Sequence, residues 1–157
     1  MNKDTAPQRH PEPRDDTPTV GTEVLKTKRT ERGWPGHFCC VRRCNFRRNT
    51  LLEYGGVRLI VSTVGAFIVD DKFETVGHKR YYETVVFVAE DSTVDGAIYT
   101  DTVCTAEISC QGIQQGIDHC GRSADGEAND MHENVVDYII ARMEAGEFDE
   151  VNQDDDQ

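Results

Sequence analysis

Gly55-Gly56 stands between two runs of strand-forming residues, 51–54 and 57–64, and that arrangement constrains the chain more than any other feature. Both central residues of a tight type I′ hairpin turn need positive φ, which glycine adopts without a Cβ clash. The stretch therefore predicts an antiparallel hairpin, and its second arm is β-branched and apolar enough for a central strand. Immediately before it lies a run rich in cysteine and arginine, Cys39-Cys40-Val41-Arg42-Arg43-Cys44-Asn45-Phe46-Arg47-Arg48. Folding information and chemically active side chains thus sit side by side.

Downstream, residues 61–70 continue extended, with Gly65 marking a bend or bulge, and Asp70-Asp71-Lys72 reads as a polar turn. Residues 79–89 form a nearly continuous apolar strand, as expected of one buried on both faces. A turn over 91–96 and an alternating strand over 97–108 follow. Short links between consecutive strands predict an antiparallel meander. Residues 109–122 carry three glycines and read as a loop with at most a short helical turn. From Ser123 the period changes: Ala128, Met131, Val135, Ile139 and Met143 recur at helical spacing, widened by Val136 and Ile140. Asp125 is the expected cap and Gly146 the expected stop. His132, two positions from Asp130, reads as a surface or boundary residue.

The expected architecture is α+β, an antiparallel sheet of four or five strands covered by one C-terminal amphipathic helix. At 157 residues there is room for one domain with a real core. Residues 1–32 hold four of the five prolines and few apolar groups, so they are expected to form a disordered arm. Residues 33–146 form the domain, with Trp34 as a plug at its edge, and 147–157 an acidic disordered tail. No stretch approaches the roughly 20 apolar residues of a membrane span, and the N-terminus has no apolar signal-peptide core, so a cytoplasmic location is expected.

The net charge of −12 is unevenly spread. Residues 26–48 hold eight Lys/Arg against Glu31 alone, while residues 49–157 hold six Lys/Arg against 23 Asp/Glu. An acidic body is repelled by nucleic acid, so direct nucleic-acid binding is disfavoured, yet the same body could imitate a nucleic-acid backbone toward a basic partner. Its acids could equally do no more than maintain solubility.

Six cysteines without an export signal point to free thiols or metal ligands before disulfides. Zinc takes four sulfur or nitrogen ligands, often as two pairs joined by the fold. The candidate set here is Cys40 and Cys44 from one group with Cys110 and Cys120 from the other, against the simpler reading of buried thiols. Arg42, Arg43, Arg47 and Arg48 form a candidate partner-binding ridge. On a strand, Arg42 would share a face with Phe46 and Arg48, opposite Arg43 and Arg47. The alternative is that these cations pair with acids of the body, such as Glu53, Asp70 or Glu83. A thiolate at Cys40 or Cys44 beside the arginines would serve a cysteine-dependent enzyme, but no motif supplies the other roles and no catalytic residue is assigned.

The segments 36–53, Val61-Ser62-Thr63-Val64-Gly65, Arg80-Tyr81-Tyr82-Glu83-Thr84 and Asn129-Asp130-Met131-His132-Glu133 resemble small uncharacterised accessory proteins of bacteriophages and mobile elements, over about residues 33–145. The resemblance implies a non-enzymatic protein of the bacterial host cytoplasm that binds a host protein or nucleoprotein, such as a defence complex it inhibits. Two alternatives come from other classes: a zinc-stabilised nucleic-acid-binding module, and the cysteine-dependent enzyme.

Overall fold

The computed structural model describes residues 25–33, 36–95 and 97–148. The expected arm over residues 1–24, Trp34, and the tail from residue 149 lie outside them, as does the side chain of Cys104. The elements in chain order are β1 (Lys28–Glu31), a one-turn 3₁₀ helix (Val41–Arg43), β2 (Cys44–Tyr54), β3 (Val57–Val69), β4 (Lys72–Glu74), β5 (Tyr82–Val94), β6 (Ala97–Ile108), β7 (Gly116–Ile117) and α1 (Arg122–Glu144). All pairings are antiparallel and the sheet runs β1-β2-β3-β5-β6, with β4 beside β3 and β7 beside β5.

Gly55 and Gly56 take φ of 56° and 90°, and the hairpin they close pairs Tyr54 with Val57 and continues to Cys44 opposite Phe67. The Asp70-Asp71 turn has φ of 47° and 60°, a left-handed conformation that aspartate tolerates better than most residues. The strand expected over 79–89 lies further on: Lys79 and Arg80 belong to a turn, and β5 runs through the expected 91–96 turn to Val94. From Tyr82 to Ala89 it is buried or half-buried on both sides, as its apolar composition requires, whereas Glu90, Asp91 and Thr93 beyond are exposed.

α1 packs on β2, β3 and β5. Leu52, Val57, Leu59, Val61, Val86 and Val88 meet Val135, Val136, Ile139 and Met143 in the main core. A neighbouring cluster joins Ala66 and Tyr82 to Ala124, Ala128 and Met131. On the other side of the sheet, Cys44, Val64, Phe67 and Val76 are capped by Phe38 and Val41, and Leu51, Ile60 and Ala89 form a smaller patch. Ala66 lies in the helix-side cluster although Val64 and Phe67 point away from it. Its φ of 49° marks the place where strand alternation slips. Beside it, a Cβ on Gly65 would lie 2.1 Å from the Tyr82 ring, so the absence of a side chain there is what admits the tyrosine.

Three boundaries differ from expectation. Residues 28–31 form an edge strand on β2 rather than the end of an arm, with Lys28 opposite Glu53 and Glu31 opposite Thr50. Asp125 does not cap the helix: Gly121 occupies that position, and Asp125 accepts a 2.6 Å hydrogen bond from Tyr82 Oη. The C-terminus follows expectation at Gly146 (φ 77°), whose N–H donates to Met143 O while Glu147 N–H donates to Arg142 O. The fold nonetheless continues past it, because Phe148 is buried in the main core with the Arg142 guanidinium 4.8 Å from its ring centroid. Among the described residues, no helix is long and apolar enough to cross a membrane.

Candidate functional site

His132 is the polar residue that this fold places most unexpectedly. It is not at the surface but fully buried, 0% exposed, where α1 crosses β2 and β3. Its Nε2 lies 2.7 Å from Thr50 Oγ1, its Nδ1 2.7 Å from Thr63 Oγ1, and Thr63 Oγ1 in turn 2.7 Å from Thr84 Oγ1. Thr50 Oγ1 donates to Glu31 Oε1 at 3.0 Å. Because an ionised carboxylate only accepts, that last bond sets the direction of the whole row. Thr50 must accept from His132 Nε2–H, which leaves Nδ1 to accept from Thr63, whose oxygen accepts from Thr84. Burial, reinforced by the positive field of Arg48, holds the His132 pKa down to about 4, so the ring is neutral.

At its outer end the row meets an ionic cluster. Arg29 donates to Glu133 from both terminal nitrogens, at 2.7 and 2.8 Å. Arg48 donates to Glu133 at 2.6 Å and to Asn129 at 3.0 Å, and lies 3.3 Å from Glu31. The hydrogen bond from Arg29 is the main reason that the Glu133 pKa falls to about 2, and Arg48 adds to it. The cluster ties β1, β2 and α1 together.

The cluster sets Arg48 apart from the other arginines of the expected ridge. Arg48 is a fastener of the helix, and Phe46 shares its side of the sheet, packing edge-on against Tyr82. Arg47 is half-buried. Arg42 and Arg43 are not on a strand at all, because the 3₁₀ turn intervenes, and both are exposed. The four arginines do not form one surface.

The cysteines are likewise dispersed. Cys44 is buried beneath Phe38, where burial pushes its thiol up to about 11, and Cys110 is buried in the main core, its thiol also raised by burial. Cys120 borders the Tyr82 cluster, and Cys40 is exposed. Among the described residues, no three His, Cys, Asp or Glu side chains are grouped to hold a metal ion. His37, on the side away from the helix, bonds Ser62 Oγ at 3.0 Å and lies 3.8 Å from Glu83, with burial lowering its pKa.

Two surface features remain. One is an open groove of about 540 Å³ lined by His78, Lys79, Arg80, Gln114, Gln115 and His119. Its cations are partly spoken for, since Arg80 pairs with Glu83 at 2.9 Å and His119 lies 3.2 Å from Glu127. The other is the outward face of α1. Glu127, Asp130, Asn134, Asp137, Ala141 and Glu144 are all exposed and follow one another at three- and four-residue steps, opposite the buried stripe. Between Ser123 and Ala141 the helix has no Lys or Arg. The sequence pattern held this acidic row, but only the position of the buried face identifies it as solvent-facing. No family model, curated protein or solved structure matches this chain.

Proposed function

We propose that the chain is a non-enzymatic accessory protein that docks a basic protein surface through the outward face of α1. The observation that carries this reading is the row Glu127, Asp130, Asp137 and Glu144, spread over about 25 Å of helix at 1.5 Å per residue. His132 and its threonines point the other way, buried and satisfied by one another. An acidic row on a sheet-backed helix, its ends steadied by Thr27 donating to Glu144 and by His119 beside Glu127, offers charge at fixed positions to a cationic groove, such as one that holds nucleic acid in a host or defence complex. Such charge complementarity steers encounter and discriminates between partners. The setting of a phage or mobile element, acting in the bacterial cytoplasm, rests on the sequence resemblance.

The test is quantitative capture from bacterial lysate, comparing the wild type with E127Q/D130N/D137N/E144Q and with R42A/R43A. The expected result is a salt-sensitive partner retained by wild type and R42A/R43A but lost with the neutralised helix. Capture that survives neutralisation, or direct binding of duplex DNA through Arg42 and Arg43, would overturn it.

A further inference from the structure

Cys39 and Cys40 are chain neighbours, both exposed, with their sulfurs 3.8 Å apart. The backbone on either side is anchored: Val41 N–H donates to Phe38 O at 3.0 Å and Arg43 N–H to Cys40 O at 2.9 Å. Phe38 and Val41 pack against the buried cluster around Cys44 and Phe67, so the two thiols project from a fixed turn. Disulfide formation suits them poorly. Adjacent Cα atoms lie about 3.8 Å apart across a trans peptide, short of the roughly 4.4–6.8 Å that disulfides span.

Two corners of a coordination shell suit them well. With metal–sulfur bonds of about 2.3 Å, sulfurs 3.8 Å apart subtend roughly 110° at the metal, close to the tetrahedral angle. We propose that Cys39 and Cys40 form an exposed two-sulfur site for a thiophilic divalent ion of the zinc group, the remaining corners being filled by solvent-borne ligands. Binding exchanges two S–H protons for two metal–sulfur bonds and releases both protons, with no change of oxidation state. Cys44, the partner that the sequence spacing offers to Cys40, is buried and takes no part.

The experiment is a titration of the reduced, metal-free full chain with Cd²⁺, followed by native mass spectrometry and by thiolate-to-metal charge-transfer absorption. One ion per chain and two protons released are expected. Affinity should fall at least tenfold in C39S, C40S and the double variant, and stay unchanged in C110S and C120S. Thiol-reagent mapping of the loaded wild type should show Cys39 and Cys40 protected together, a readout independent of how the variants fold. Undiminished binding in C39S/C40S, no bound ion, or protection of other cysteines instead would overturn the assignment.

Discussion

His132 Nδ1 lies 2.7 Å from Thr63 Oγ1, and this bond is one of the two inner links of a polar row that crosses from β5 to β1 beneath the helix. Removing the imidazole leaves a cavity and strips one partner from each of two buried hydroxyls. H132A should lose about 3 kcal/mol of stability, in the range of cavity formation plus lost hydrogen bonds. H132L should recover the volume but not the hydrogen bonds and lie between. Urea unfolding of the three proteins measures both differences; a loss in H132A below about 0.5 kcal/mol would mean that the row is not a stabilising element.

The same residue sets a pH dependence. Its pKa is about 4 when folded against an ordinary 6.5, so below pH 6.5 the unfolded chain takes up a proton that the folded protein refuses. The stability from a neutral His132 is therefore complete above pH 6.5 and drains away as pH falls from 6.5 to about 4, at up to about 1.4 kcal/mol per pH unit. Glu133, lowered to about 2, loses its contribution only below about 4.5. His37 is also shifted down by burial. The informative quantity is thus the difference between wild type and H132L: its slope between pH 6.5 and 4 should flatten in the variant. Parallel curves would show that His132 does not titrate there.

Gly65 is expected to tolerate no side chain. A Cβ at that position would overlap the buried Tyr82 ring, and overpacking of this kind costs about 1–3 kcal/mol. The cause can be separated from any backbone preference by a double-mutant cycle. G65A should be clearly destabilising with Tyr82 present and much less so in a Y82L background. Equal costs in both backgrounds would place the problem in the strand rather than at the ring. Y82F, which keeps the ring and loses only the Asp125 hydrogen bond, should cost about 1 kcal/mol.

How far the sequence leads depends on the kind of signal each element carries. The hairpin is legible because Gly-Gly has a local conformational reason to turn, and the helix because its apolar residues repeat from Ala128 to Met143, over about four turns. His132 was legible in part: it stands four residues from both Ala128 and Val136, inside the apolar stripe, but a polar residue type concealed it. Its partners Thr50, Thr63 and Thr84 are ordinary strand residues that only pairing register brings together. β1 gave no hydrophobic signal, because Lys28–Glu31 is exposed throughout and held by backbone pairing and ions. The strand faces expected of the arginines differ for a related reason. Residue spacing describes faces only along one element, and a single turn of 3₁₀ helix separates Arg42 and Arg43 from Arg47 and Arg48.

Those arginines should accordingly behave differently. R42A and R43A remove exposed side chains and should change stability by less than about 0.5 kcal/mol. R48M removes the link between β2, Asn129 and Glu133 and leaves Glu133 to Arg29 alone, so a loss of about 1–2 kcal/mol is expected of this part-buried network. Denaturant midpoints at low and high salt check it. The R48M deficit should shrink as salt screens the cluster, and an R48M midpoint matching R42A would return Arg48 to the surface ridge.

The last prediction concerns what β1 contributes to the fold. Glu31 terminates the buried row and Arg29 holds Glu133, so β1 supplies groups that the core uses even though its own side chains are exposed. A chain beginning at residue 33 loses the acceptor for Thr50, one side of the ionic cluster and the four-residue pairing with β2. A chain beginning at residue 25 keeps all three. The shorter should be less stable by several times the roughly 1 kcal/mol of a single hydrogen bond, with the amides of residues 50–53 exchanging faster. Equal stability of the two would make β1 an appendage, and Thr50 would then have to find its acceptor elsewhere.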